Sequence, residues 1–156
     1  MTTGDARVVS VERFIPAPTQ RLFDVVADPA LHPVIDGSGT VNALRPGSPR
    51  RLSDGAEFGV AMRIAVPYRI TNKVVEFEEG RLLAWQHMGR ARWRYRFDPV
   101  DGGTRVTESW DYSPSPAWIA LVYRLLRFPS RNRPGMERTL ERLEAHVVSA
   151  DGPGPA

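Results

Sequence analysis

Apolar and polar residues alternate with an apolar bias from Val8 to Ile15 (VVSVERFI), and the run stops at Pro16. Period-two alternation bounded by proline predicts a first strand. The period changes in APTQRLFDVVADP, where Leu22, Phe23, Val25 and Val26 recur at helical spacing between Pro18 and Pro29. A short amphipathic helix is expected there. PALHPVIDGSG adds one further helical turn before Gly37 and Gly39 break it, and TVNALRPG reads as a weak second strand.

From Gly55 to Tyr112 the pattern is that of successive strands: AEFGVAMRIAV, YRITNKVVEFEE, RLLAWQHM, ARWRYRFD and TRVTESWDY. The punctuation between them is brief: Pro67, Glu79-Gly80, Met88-Gly89-Arg90 and Asp101-Gly102-Gly103. Connections this short force antiparallel neighbours, because a parallel crossover needs a dozen residues or more. After Tyr112 the apolar helical stretch SPSPAWIALVYRLLRF is expected to be interrupted by Pro129 and Pro134. The helix GMERTLERLEAHVV then sets Met136, Leu140, Leu143 and Val147 on one stripe opposite a charged face. Residues 1–6 and the tail 149–156 are expected to be disordered, leaving 7–148 as a single domain.

The stretch RWRYRF (Arg92 to Phe97) alternates arginine with aromatic. In a strand Trp93, Tyr95 and Phe97 share one face and the arginines the other. Asp101-Gly102 is a hairpin signal for a type I′ turn with positive φ at both residues. That turn pairs Phe97 with Val106, Tyr95 with Glu108, Trp93 with Trp110 and Arg92 with Asp111. Charge pairs then fall on the wet face and aromatics on the dry one. Glu108 alone breaks the apolar pattern of the inner face. The simpler expectation is that it reaches water or an arginine near the cavity end, or that a bulge turns it outward. The functional alternative is that it anchors a polar group of a ligand or serves as general acid or base. For RLLAWQHM, a three-residue turn puts Leu83, Trp85 and His87 inside, and a two-residue turn puts them outside. The first is preferred because it buries Leu83 and Trp85.

Composition narrows the function classes. The chain has 156 residues, 42% of them hydrophobic, enough for one ordinary core. It lacks cysteine, which excludes disulfides, thiolate nucleophiles and cysteine-bound metal. The start MTTGDARVVS lacks the apolar run of a signal peptide, and a cytoplasmic location is expected. The 21 basic residues are 20 arginines and Lys73, interspersed with acids to a net charge of +3. No nucleic-acid partner is expected, because the aromatics of the RWRYRF strip point away from its arginines. His32, His87 and His146 lack ligand spacing, and neither a phosphate loop nor a nucleophile elbow is present. No metal and no cofactor is expected.

The order strand, two short helices, six strands and long C-terminal helix resembles the helix-grip fold of the START-like (SRPBCC) superfamily. VERFIPAPTQRLFDVVADPALHPVIDGSG, NKVVEFEEGRLLAWQH, WRYRFDPVDGGTRVTESWDY and GMERTLERLEAH are similar to its polyketide cyclase/dehydrase-like branch. The resemblance covers Val8 to Val148. It implies an α+β fold in which a curved antiparallel sheet of six or seven strands packs around the C-terminal helix, enclosing a cavity.

Laid on this chain, the resemblance gives cavity-facing candidates Phe58, Val60, Met62, Ile64, Trp85, His87, Trp93, Tyr95, Glu108, Trp110 and Tyr112, with His32 near the cavity mouth. The expected function is binding or carriage of a small hydrophobic or aromatic molecule (lipid, quinone or polyketide-like). One alternative is a cyclase, aromatase or dehydratase with Glu108 and His87 as the acid/base candidates. A second alternative is a protein-interaction module. The segment 116–128, apolar with Arg124 and Arg127, offers a peripheral membrane contact. A monomer or homodimer is expected.

Overall fold

A computed structural model describes residues 6–63, 67–87 and 89–150. The expectations for residues 1–5, Ile64 and 151–156, and for the Met62 side chain, lie outside the described residues. Strand β1 (Val8–Ile15) leads into helix α1 (Thr19–Ala27), a single 3-10 turn at Pro29–Leu31 and the short helix α2 (His32–Ile35). Strands β2 (Val41–Leu44), β3 (Glu57–Arg63), β4 (Pro67–Glu78), β5 (Leu82–Gln86), β6 (Arg92–Val100) and β7 (Gly103–Asp111) follow. Helices α3 (Ala117–Leu125) and α4 (Phe128–Ala150) close the chain.

The strands form one seven-stranded antiparallel sheet in the order β1-β7-β6-β5-β4-β3-β2. The chain therefore runs as a meander from β2 to β7, and β1 returns to the β7 edge. The α1–α2 segment connects the two edges of the sheet. This is the α+β helix-grip architecture, with α4 held against β1 and β7.

The hairpin register is the one the Asp101-Gly102 turn implies: Trp93 pairs with Trp110, Tyr95 with Glu108 and Phe97 with Val106. The backbone of the turn differs from expectation, because Gly102 has φ of 81° while Asp101 is not in the left-handed region. A type I′ turn is thus not used. Between β5 and β6, Leu83 pairs with Tyr95 and Trp85 with Trp93. That register matches the three-residue turn, with Gly89 and Arg90 both at positive φ. Leu83 and Trp85 are buried accordingly.

Two of the outward arginines of RWRYRF, Arg92 and Arg94, meet carboxylates of the same sheet. Arg94 donates two hydrogen bonds to Glu76 Oε2, at 3.1 and 2.7 Å, and lies 3.5 Å from Asp111. Arg92 approaches Glu76 at 3.6 Å, so the expected Arg92–Asp111 pairing of charges is shared out differently although the register holds.

On α4, Met136, Leu140, Leu143 and Val147 are all buried, as their spacing predicts. Each such side chain contributes about 1.5–3 kcal/mol by burial. The prolines behave otherwise than expected. The helical break falls at Arg127, with φ of 58°, and α4 runs through both Pro129 and Pro134. Pro129 lies in the first turn of α4, where the backbone N–H has no helical partner and proline costs little.

Candidate functional site

Between the inner face of the sheet, α2 and the start of α4 lies a cavity of about 620 Å³. Its sheet wall is aromatic because period-two alternation puts Phe58, Trp85, Trp93, Tyr95 and Trp110 on the same face. The rings form two packed groups. Trp85 stacks on Tyr95 with centroids 5.5 Å apart and meets Phe58 edge-on at the same distance. Trp93 and Trp110 lie 6.3 Å apart, and Trp110 continues to Tyr112 and Tyr123. A pocket of this size with apolar walls suits a small organic ligand.

The polar end of that wall is Glu108. It is buried, and its Oε1 accepts a hydrogen bond from the Tyr95 hydroxyl at 2.9 Å. Its Oε2 is buried with no hydrogen-bond partner among the described residues. Neither an arginine nor a bulge relieves it, since β6 and β7 pair without a register shift from Arg92 to Val100. Of the simpler expectations for Glu108, the arginine partner and the bulge are thereby corrected. Burial pushes its pKa up to about 8, the Tyr95 bond opposes the shift and the Asp36 charge adds to it. At neutral pH the group is a carboxylic acid, a hydrogen-bond donor on a residue that lines the cavity.

His32, expected near the cavity mouth, is buried and lines the cavity. Its ring stacks on Trp85 with centroids 5.0 Å apart and lies edge-on to Phe58. Nε2 donates to the Val26 carbonyl at 2.8 Å, which assigns the proton to that nitrogen. Desolvation lowers its pKa, so the ring is neutral and fixed.

Of the other expected residues, Val60 and His87 line the cavity. Tyr112 does not. It is buried behind Trp110, its hydroxyl donating to the Ala6 carbonyl at 3.4 Å. Sequence reasoning missed Ile70 and Asn72 of β4, although Ile70 pairs with Val60 and Asn72 with Phe58. Alternation along β4 carried that signal. It also missed the α2–β2 loop and α4, which supply Asp36, Ser38, Thr40, Arg131, Asn132 and Thr139.

That loop is clasped to α4. Gly37 N–H donates to Thr139 Oγ1 at 2.9 Å, Arg138 Nε to the Gly37 carbonyl at 2.9 Å and Arg142 to the Asp36 carbonyl at 2.5 Å. Asp36 in turn accepts from Ser38 and from the Val41 N–H, so its carboxylate organises the loop. Among the described residues no group of three or more His, Cys, Asp or Glu side chains gathers as a metal site.

A sheet gripping a terminal helix around an aromatic cavity defines a START-like cavity protein. The comparisons make the assignment specific. Residues 6–148 match the family described as polyketide cyclase / dehydrase and lipid transport, and the chain belongs to that family. It is 38% identical over 145 residues to the uncharacterized protein Rv0088 of Mycobacterium tuberculosis, covering 90% of this chain and 63% of that protein. The chain thus spans less than two-thirds of the length of the curated relatives it matches.

Two solved structures share the fold. Ms6760 of Mycobacterium smegmatis superposes with a TM-score of 0.71 at 17% identity, covering 94% of each chain. The AHSA1-like protein of Aeromonas hydrophila gives 0.65 at 16% identity, covering 96% of this chain and 97% of that one.

Proposed function

We propose that the protein binds and carries a small hydrophobic or aromatic molecule that bears one hydrogen-bonding group. The observation that carries this reading is the pairing of an aromatic cavity of about 620 Å³ with a buried, half-satisfied carboxyl. The rings supply apolar burial. Glu108, held by Tyr95, gives the ligand a direction by meeting its carbonyl or hydroxyl oxygen.

The test is a thermal-shift screen against fatty acids, quinones, sterols and aromatic polyketides. A ligand at a hundredfold excess over Kd stabilises by about 2.7 kcal/mol. Selective stabilisation that Glu108→Gln or Tyr95→Phe weakens supports the reading. Silence across every class sinks it.

A second reading, cyclase or dehydratase chemistry, is favoured by the same Glu108, a buried acid on a residue that lines the cavity. His87 does not sit beside it. From Leu83, opposite Tyr95, His87 is four residues along the strand and β6 intervenes. That is about 13 Å along the sheet and ~10 Å across it. The two groups would therefore act on different atoms of an extended substrate. Glu108→Gln that binds but does not turn over a polyketide substrate would favour this reading; unchanged turnover would remove it.

A further inference from the structure

Helix α3 presents Trp118, Leu121, Val122 and Leu125 along one side, at the spacing of helical neighbours. These side chains are 69, 55, 41 and 72% exposed. The opposite side of α3 is packed: Ala120 is buried, and the Tyr123 ring meets Trp110, Tyr112 and Phe128. Isolated exposed apolar side chains are ordinary on soluble proteins, whereas a contiguous stripe of large ones marks an interaction surface.

The charge around the stripe has one sign. Arg124, Arg127, Arg131 and Arg133 are exposed, and no aspartate or glutamate occurs from Tyr112 to Met136. The stripe also ends at the cavity. Leu126, 51% exposed, lines it together with Phe128 and Arg131.

We propose that α3 and the first turns of α4 dock on an anionic lipid bilayer, with the apolar stripe in the acyl boundary and the arginines at the headgroups. Tryptophan, leucine and arginine on one short helical surface match that interface chemically. A second copy of the chain fits less well, since a two-fold contact through this face would set the arginine cluster against itself. Docked in this way, the rim formed by Leu126 and Phe128 faces the lipid, so an apolar ligand passes between bilayer and cavity without crossing water. The inference deepens the carrier reading, yet the docking itself needs no cavity ligand.

The experiment is co-sedimentation of the full chain, with no ligand added, with vesicles of phosphatidylcholine and with vesicles of equal phosphatidylcholine and phosphatidylglycerol. Pelleting with the anionic vesicles is expected, falling as salt is raised. Combined Leu121→Glu and Leu125→Glu should weaken it by at least about tenfold, and so should combined Arg124→Glu and Arg127→Glu. Both variants should keep the native thermal midpoint, because the altered side chains are exposed. Absence of pelleting at low salt, or variants that pellet like the native chain, overturns the proposal. So does a dimer in sedimentation velocity that the leucine variant dissolves, which would assign the stripe to a second copy. Ligand stabilisation is measured separately without vesicles. Vesicle binding without any stabilising ligand would reject the carrier and leave the docking surface standing.

Discussion

Tyr95 and Glu108 face each other across β6 and β7, and the phenol donates to one carboxyl oxygen at 2.9 Å while the other meets no protein donor or acceptor among the described residues. Burial keeps this acid protonated up to about pH 8, against an ordinary value of 4.5. The folded state therefore holds a proton that the unfolded chain releases. Stability should fall as pH rises from 4.5 to about 8 and level off above both values. Each unit of pKa difference is worth about 1.4 kcal/mol, so the loss across the window is a few kcal/mol. Glu108→Gln keeps a partner for Tyr95 and has no proton to lose. Denaturant titrations at successive pH values should show the variant gaining on the native chain through that window; parallel curves would mean that Glu108 is ionised in the fold.

His32 gives the opposite slope at the acid side. Its ring is buried and neutral, and desolvation lowers its pKa below 6.5. Below that value the unfolded chain takes up a proton that the native ring resists, so stability falls by up to about 1.4 kcal/mol for each pH unit. The loss ends where the native ring itself protonates. His32→Gln should cost stability at neutral pH, through the lost stacking on Trp85, yet flatten this acid slope. Unfolding midpoints of both chains between about pH 5 and 7 decide it.

Gly37 is needed for contact, not for conformational freedom. A Cβ there would lie 2.5 Å from Thr139 N and from Arg138 Cβ, closer than packed atoms allow. Gly37→Ala must push the α2–β2 loop away from α4 and break the Gly37–Thr139 hydrogen bond. Overpacking of this kind costs about 1–3 kcal/mol. Because Ser38 and Thr139 line the cavity, the same change should weaken ligand binding beyond its effect on stability. A variant with native midpoint and native binding would show that the clasp yields freely.

The sheet was legible in the sequence because its determinants are local. Asp101-Gly102 and the alternation on either side set the β6–β7 register, and the need to bury Leu83 and Trp85 chose between two turns for β5. What was not legible depends on tertiary contact. Pro134 stays within α4 although proline disfavours helix interiors, and packing of the Met136, Leu140, Leu143 and Val147 stripe overrides that cost. The environment of Glu108 was equally hidden. The turn put Tyr95 opposite, but only the fold shows that the phenol donates to one carboxyl oxygen and that the other is buried without a hydrogen-bond partner among the described residues. The polar lining from α4 and the α2–β2 loop depends on how Gly37 seats against Thr139, which no periodicity encodes.

The two tryptophans paired across β6 and β7 should separate pocket from core. Trp110 is buried and packs on Trp93, Tyr112 and Tyr123, so Trp110→Ala removes support from three neighbouring rings. A loss of about 3–5 kcal/mol is expected, as for other buried aromatics. Trp93 is only half-buried while lining the cavity, so part of its surface faces the space a ligand would fill. Trp93→Ala should cost less stability and enlarge the cavity. Its signature is therefore a change of selectivity, with the best-stabilising member of a homologous series of alkyl quinones or fatty acids moving to a bulkier compound. Thermal shifts across such a series, measured for the native chain and Trp93→Ala, provide the check. If Trp93→Ala loses as much stability as Trp110→Ala and leaves the preferred size unchanged, Trp93 is core, and the ligand wall must be redrawn around Phe58, Trp85 and Tyr95.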